Sequence, residues 1–239
     1  MLSTIAFYGA IESGLIYALV ALSIYLSFRI LDFPDLTVDG SFPLGAAVAA
    51  TLIVSGYHPW LATLAAVLAG MFAGGVTAFL SVKLRILNLL ASILTMTALY
   101  SINLRIMGRP NVALLGETTI LTFWEQYSWP YYVVSVGLFF VVVLGVVGLL
   151  WWFLQSEVGL AMRATGANPA MARAQGITTG GMTFLGLALA NGLVGLAGAL
   201  FAQSQGSADI TMGVGVIVIG LASLIGGEAI MSLNRLYEH

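Results

Sequence analysis

Few side chains in this sequence are able to carry out chemistry. There is no cysteine and there are only two histidines, His58 and the terminal His239, which removes thiolate nucleophiles, thiolate metal sites and an HExxH zinc motif. No histidine is placed to complete an embedded nucleophile–base pair. The single lysine, Lys83 in Ser81-Val82-Lys83-Leu84, follows no glycine-rich loop, so the chain has no Walker A phosphate site. What remains is a pair of aspartates in similar settings. Pro34-Asp35-Leu36-Thr37-Val38 is echoed by Ala208-Asp209-Ile210-Thr211-Met212, and a glycine-containing apolar run follows each. An Asp or Thr at a helix start caps its free N–H groups, where the helix dipole places about half a positive charge. Helices broken in this way inside a membrane commonly face a solute path. The candidate pathway residues are therefore Asp35, Thr37, Asp39 and Ser41 with Asp209 and Thr211. In the plainer alternative, Asp35 and Asp209 cap helices and touch no cargo. A catalytic aspartyl pair is the one enzymatic reading left, and nothing else supports it.

The elements that must position these residues cross a membrane. Hydrophobic residues make up 60% of the chain and charged ones 8%, against about 25% charged in a soluble domain. No charge occurs between Asp39 and Lys83, between Glu125 and Glu157, or between Arg173 and Asp209. A crossing helix needs roughly 20 mostly apolar residues. We read seven segments, at 5–28, 42–55, 61–82, 86–107, 131–154, 182–202 and 210–233, in a single transmembrane domain over 1–239. The N-terminus lacks a basic region and a small-residue cleavage site, so the first segment reads as a retained helix. The second segment is short and follows the polar, helix-breaking run Phe33-Pro34-Asp35-Leu36-Thr37-Val38-Asp39-Gly40. Such backbone is tolerated at membrane depth only where protein or a water-filled cavity surrounds it. The fold class is all-α: a polytopic helical bundle with a broken second helix. The two echoed motifs start helices of opposite direction, which marks an inverted internal repeat.

Orientation follows from the basic residues. Arg29, Lys83, Arg85, Arg163, Arg173 and Arg235 fall on one side, Arg105 and Arg109 on the other, which puts the first group in the cytoplasm and the N-terminus outside. Tyr57, Trp60, Trp124, Trp129, Tyr131 and Tyr132 then form an outer aromatic girdle, with Trp151 and Trp152 near the inner one. Gly70/Gly74 and Gly192/Gly195/Gly198 are spaced for close helix contact, within the chain or across a dimer. Glu12, inside the first segment, reads as a helix contact or a snorkelling residue, and Glu228 as facing the long inner loop.

That loop, 156–180, is longer than two spans need. Asn168 can cap a helix that begins at Pro169, and Gly176 suits the left-handed stop after Gln175. A short alanine-rich helix of this kind is unstable alone in water and needs a surface to pack on. It reads as a docking element for a cytoplasmic partner, with a helix lying on lipid headgroups as the alternative.

Here the sequence resembles a known family. Arg163-Ala164-x-Gly166-x-Asn168-Pro169-x-x-Ala172-x-x-x-Gly176-Ile177 resembles the coupling segment of ABC-importer permeases of the branched-chain amino-acid and ribose class. The resemblance implies that Arg163, Ala164, Gly166, Asn168, Pro169, Ala172, Arg173 and Gly176 engage a cytoplasmic ATPase subunit. The run from Arg29 to Ser41 and the run from Leu94 to Gly108 are similar to a subgroup usually assigned tryptophan/tyrosine-type transport. The likeness extends over about 14–228. It implies a permease that moves a small polar solute, an amino acid first of all with aromatic ones among the candidates, by alternating access. It also implies ATPase subunits, an extracytoplasmic solute-binding protein and a second permease chain as partners, in the plasma or inner membrane. No cofactor is expected on this chain, since ATP is used by the partner, and no nucleic acid. Family members usually continue well beyond Gly226-Gly227-Glu228, so a terminal helix or more is expected to be missing. An ion-coupled secondary transporter is the alternative, with Asp35 and Asp209 as its carboxylates.

Overall fold

The computed structural model describes residues 4–122 and 131–236. Five helices are long and apolar enough to cross a membrane: Ala6–Ile30, Pro59–Val82, Asn88–Met107, Val133–Gln155 and Thr179–Gln205. Two shorter apolar helices, Val38–Val54 and Val216–Ile230, complete the expected seven. The chain is thus a polytopic helical membrane protein. In chain order the helices are α1 (Thr4–Ile24, continued by a π-helical turn Tyr25–Ile30), α2 (Val38–Val54), α3 (Pro59–Val82), α4 (Asn88–Met107), α5 (Tyr131–Gln155), α6 (Glu157–Ala167), α7 (Pro169–Ala174), α8 (Thr179–Gln205) and α9 (Val216–Leu236). Two short strands, β1 (Asn111–Ala113) and β2 (Ser207–Asp209), pair antiparallel and tie the α4–α5 connection to the α8–α9 connection. The all-α reading contained no such ribbon.

α8 is the central helix. Of its apolar window 67% is buried, against 17% for α5 at the periphery. Glycine explains how α8 packs so closely. A methyl group at Gly45 of α2 would lie 2.1 Å from the Gly195 carbonyl oxygen, and one at Gly198 would lie 2.0 Å from that of Phe42. On the other side, a methyl at Gly70 or Gly74 of α3 would meet the carbonyls of Asn191 and Leu187 at 2.3 and 2.2 Å. Both glycine rows are therefore spent inside the chain. Apolar side chains fill the remaining space between α1, α2, α8 and α9, with Val20, Ile24, Phe42, Val194, Leu200 and Ile217 in one cluster. The Phe42 ring stacks on Tyr17 at 6.3 Å and tilts against Phe201 at 5.5 Å.

The path of the chain places α6 and α7 at the same end of the bundle as Ile30 and the start of α8. A methyl at Gly166 would lie 1.9 Å from the Ile30 carbonyl oxygen, and one at Gly180 would lie 2.7 Å from the Val82 side chain. Arg29, Lys83, Arg85, Arg163 and Arg173 share that end, while Arg105 and Arg109 lie at the end of the β-ribbon. Of the aromatic girdle, Tyr57 and Trp60 are exposed at the ribbon end and Trp151 and Trp152 at the other. Trp124 and Trp129, and the side chains of Tyr131, Tyr132 and Arg235, lie outside the described residues.

Glu12 joins three helices, accepting from Ser135 of α5 at 2.9 Å and from Ser204 of α8. It is the helix contact, one of the two roles open to it in the sequence. Glu228 differs from expectation: its partner is Arg29, 3.1 Å away and largely exposed, not the inner loop. An exposed pair of this kind is worth little.

Candidate functional site

α2 begins at Val38, four residues before the expected 42, because Asp39, Gly40 and Ser41 join the helix. Only residues 31–37 are non-helical, and they run inside the bundle. Phe33, Asp35 and Thr37 are all buried there. In a buried stretch every polar backbone group needs a partner, and Asp35 organises the supply. Its Oδ1 accepts from the Thr37 N–H at 2.9 Å, closing an Asx turn just ahead of the helix. Its Oδ2 accepts from Asn191 Nδ2 of α8 at 2.6 Å. The Asn191 amide oxygen in turn accepts from Ser41 Oγ at 2.7 Å, and the Thr37 hydroxyl pairs with Thr77 of α3 at 2.7 Å. Asp35, Thr37 and Ser41 thus clamp the start of α2 to α3 and α8. Asp35, Thr37, Ser41, Thr77 and Asn191, the five members of the clamp, are fully buried.

Asp209 repeats the local geometry in another setting. Its Oδ1 accepts from the Thr211 N–H at 2.8 Å and from the Thr211 hydroxyl, and its Oδ2 from Asn111 across the ribbon at 3.2 Å. The same Asp-x-Thr turn therefore precedes both short helices. Asp209 is only half-buried, however, and the Thr211 bonds hold its carboxyl below the usual carboxylate range. Neither aspartate is an N-cap of the helix it precedes.

That cap comes from Asp39. Its Oδ1 accepts from the Ile217 N–H at 2.8 Å and its Oδ2 from the Gly215 N–H at 3.2 Å, so a carboxylate in the first turn of α2 caps α9. The N-termini of two helices from opposite halves of the chain meet here, running away from each other. One carboxylate serves two positive helix ends. Pro43 leaves the Asp39 carbonyl without its in-helix donor, and Gly213 lies against it, where a methyl would stand 2.0 Å from the oxygen. Of the six pathway candidates, four gather at this start of α2, while Asp209 and Thr211 stand apart at the ribbon.

Two contributors escaped the sequence reading, Asn191 and Asn103. Each is an amide set among apolar residues inside a membrane segment, Asn191 in Leu-Ala-Asn-Gly-Leu and Asn103 in Ser-Ile-Asn-Leu, and that was the available signal. Asn103 Nδ2 donates to the Gly40 carbonyl at 3.2 Å. Its Oδ1 and Ser23 Oγ are, among the described residues, the buried side-chain polar atoms without a hydrogen-bond partner.

At the other end, Asn168 Oδ1 accepts from Ala170 and Met171 N–H at 3.1 and 3.0 Å, and Pro169 opens α7 as expected. Gly176 has φ +83°, which fits the left-handed stop. The stretch before Asn168 is not a loop, however. It forms α6, capped by Ser156 Oγ, which accepts from the Gly159 N–H at 3.2 Å. Ser156 followed by Glu157 is an ordinary helix-start signal that the glycines at 159 and 166 obscured. Met162 of α6 is buried with Ile30, Leu31 and Phe33, the residues leading into the clamp. Ala172 of α7 is buried, whereas Arg163, Asn168, Pro169, Arg173 and Gly176 are exposed and Ala164 and Gly166 are half-buried.

The sequence matches the family model described as "Branched-chain amino acid transport system / permease component" over residues 6–233. It is 41% identical over 214 residues to the "Tyrosine transport system permease protein" of Clostridioides difficile (strain R20291), covering 90% of this chain and 70% of that one. It is 26% identical to the "Probable branched-chain amino acid transport permease protein LivH" of Methanocaldococcus jannaschii (92% and 72% covered). It is 28% identical to the "Ribose import permease protein RbsC" of Escherichia coli (strain K12) (81% and 62% covered). No solved structure matches the chain.

Proposed function

This chain belongs to the family of branched-chain amino acid transport system permease components, and from that premise we propose that it moves an amino acid, an aromatic one first of all, as the membrane half of an ATP-driven importer. One observation carries the reading: the exposed α6–α7 element is packed directly on the residues that lead into the broken helix. Gly166 abuts the Ile30 carbonyl, and Met162 shares a cluster with Leu31 and Phe33. A displacement of α6 by a partner is therefore delivered to residues 31–37, and through the Asp35–Asn191 clamp to α2 and α8. Close-packed interiors transmit such shifts instead of absorbing them. Cargo then passes as α2 and α9, joined at Asp39, rock between two arrangements. The partners in this reading are cytoplasmic ATPase subunits, an extracytoplasmic solute-binding protein and a second permease chain. The likeness to a tyrosine permease supports the aromatic cargo.

Arg173→Glu in α7 tests the docking. Arg173 is exposed, so detergent melting should be unchanged while co-purification of the ATPase and ATP-dependent uptake are lost. Uptake at the wild-type rate would remove α7 from the energy path.

The basic end of the bundle faces the cytoplasm in this reading. The absence of cysteine makes that a simple measurement. A membrane-impermeant maleimide added to whole cells should label Ser55→Cys and spare Gln175→Cys, and the opposite pattern would invert the topology.

A further inference from the structure

A cavity of about 390 Å³ opens at the basic end of the bundle, between the π-helical turn that ends α1 and helix α6. We propose that it holds the headgroup of a phosphatidylethanolamine molecule from the bilayer. The inference stands apart from the transport reading. The lining carries three charged side chains, Arg29, Asp32 and Arg163. Arg29 is already paired with Glu228 at 3.1 Å. The other two are not: among the described residues, neither the Asp32 nor the Arg163 side chain has a hydrogen bond or an ion pair. One carboxylate and one guanidinium therefore line a shared space without reaching each other. A ligand that satisfies both carries a negative and a positive group of its own.

The backbone supports the same point. Asp32 has φ +52°, a left-handed conformation that few residues other than glycine adopt. Aspartate is tolerated there because its short side chain can bond nearby backbone, yet Asp32 makes no such bond. Its carboxylate is left for a partner outside the chain. The position of the cavity makes that partner a lipid. The span Ala6–Ile30 ends here, so the charges stand at headgroup level, and Tyr25 and Phe28 continue the wall toward the apolar slab. Basic pockets between helix ends of this kind take lipid headgroups. The bilayer presents those headgroups at high effective concentration, which suits exposed contacts that are individually weak. A phosphate accepts two parallel N–H bonds from a guanidinium, and a primary ammonium donates up to three to a carboxylate. Phosphatidylcholine has no N–H to offer Asp32, and phosphatidylglycerol has no cation. The cavity also borders the contact of Gly166 with the Ile30 carbonyl, so a bound headgroup braces α6 against the end of α1. Arg163, which the resemblance implies at the ATPase, then has its partner in the membrane.

The test is native mass spectrometry of the full chain in detergent, counting one-to-one adducts with dioleoyl phosphatidylethanolamine, phosphatidylcholine and phosphatidylglycerol. The ethanolamine lipid should give several-fold more adduct than either of the others. Asp32→Asn keeps a residue that also tolerates the left-handed backbone, and it should bring the ethanolamine and choline lipids level. Arg163→Gln should remove most of the ethanolamine adduct. Soluble O-phosphoethanolamine, added in equal amount, should not displace the lipid. A glycerol lipid that binds as well as the ethanolamine one would make this a plain anion site and overturn the proposal. Displacement by O-phosphoethanolamine would make the ligand a free solute and overturn it too. So would an ethanolamine preference that survives Asp32→Asn, which decides the matter alone if Arg163→Gln fails to fold. None of these readings depends on ATPase docking or uptake.

Discussion

Replacing Asn191 by leucine is expected to be among the most destabilising single changes in this chain. Leucine has the same branched shape and heavy-atom count, so the loss reports chiefly the hydrogen bonds. Asn191 Nδ2 donates to Asp35 Oδ2 at 2.6 Å and its Oδ1 accepts from Ser41 at 2.7 Å, all within the core. With leucine, one oxygen of a buried carboxylate and one buried hydroxyl lose their partners together. Leaving a buried acceptor or hydroxyl without its partner costs about 1–3 kcal/mol each, which for a domain of this size lowers the melting temperature by roughly 10 °C. The measurement is the melting of the detergent-solubilised chain by fluorescence-detected gel filtration. Asp35→Asn should be milder, because a neutral amide can still accept from the Thr37 N–H and pair with a flipped Asn191. If the two variants melt together, the clamp is not what holds the start of α2.

The second large effect is steric. Gly198→Val should prevent the α2–α8 crossing from closing, since even a methyl group there would stand 2.0 Å from the Phe42 carbonyl oxygen. Overpacking commonly costs about 1–3 kcal/mol when side chains are able to give way. Here the obstacle is backbone, so the helices must separate and the glycine contacts along α8 are lost with them. We expect little folded protein to accumulate. Gly148→Ala in α5 is the control, because nothing lies within 4 Å of its added methyl and alanine favours a helix over glycine by about 1 kcal/mol. It should leave the chain as stable as before or more so. Equal accumulation of both variants would mean that α8 is not packed as described.

The two variants also separate what was legible in the sequence from what was not. The places of the seven apolar helices, the short second helix, the Asn168–Pro169 cap and the stop at Gly176 are local matters. Each depends on apolar length or on backbone chemistry within a few residues, and these were read correctly. The helical state of 157–167 was missed because two glycines lower the local helix signal while burial of Met162 and Thr165 supplies the stability. The β-ribbon was missed because pairing Asn111–Ala113 with Ser207–Asp209 is a non-local event between segments of no distinct pattern.

The two echoed aspartates show the division most clearly. From sequence alone they are an Asp-x-Thr pair ahead of two short apolar helices, and the local turn they make is the same in both places. Their roles differ because of what each turn meets after folding. Asp35 lands against Asn191 in a dry core and becomes a clamp, while Asp209 lands half-buried in the ribbon. The cap expected of them belongs to Asp39, which reaches from one half of the repeat to the other. The sequence alone determined that the chain crosses a membrane and where its helices break, because apolar length and turn chemistry are written locally. Which carboxylate holds which helix was decided only when the two halves packed, because a hydrogen bond needs both partners in place.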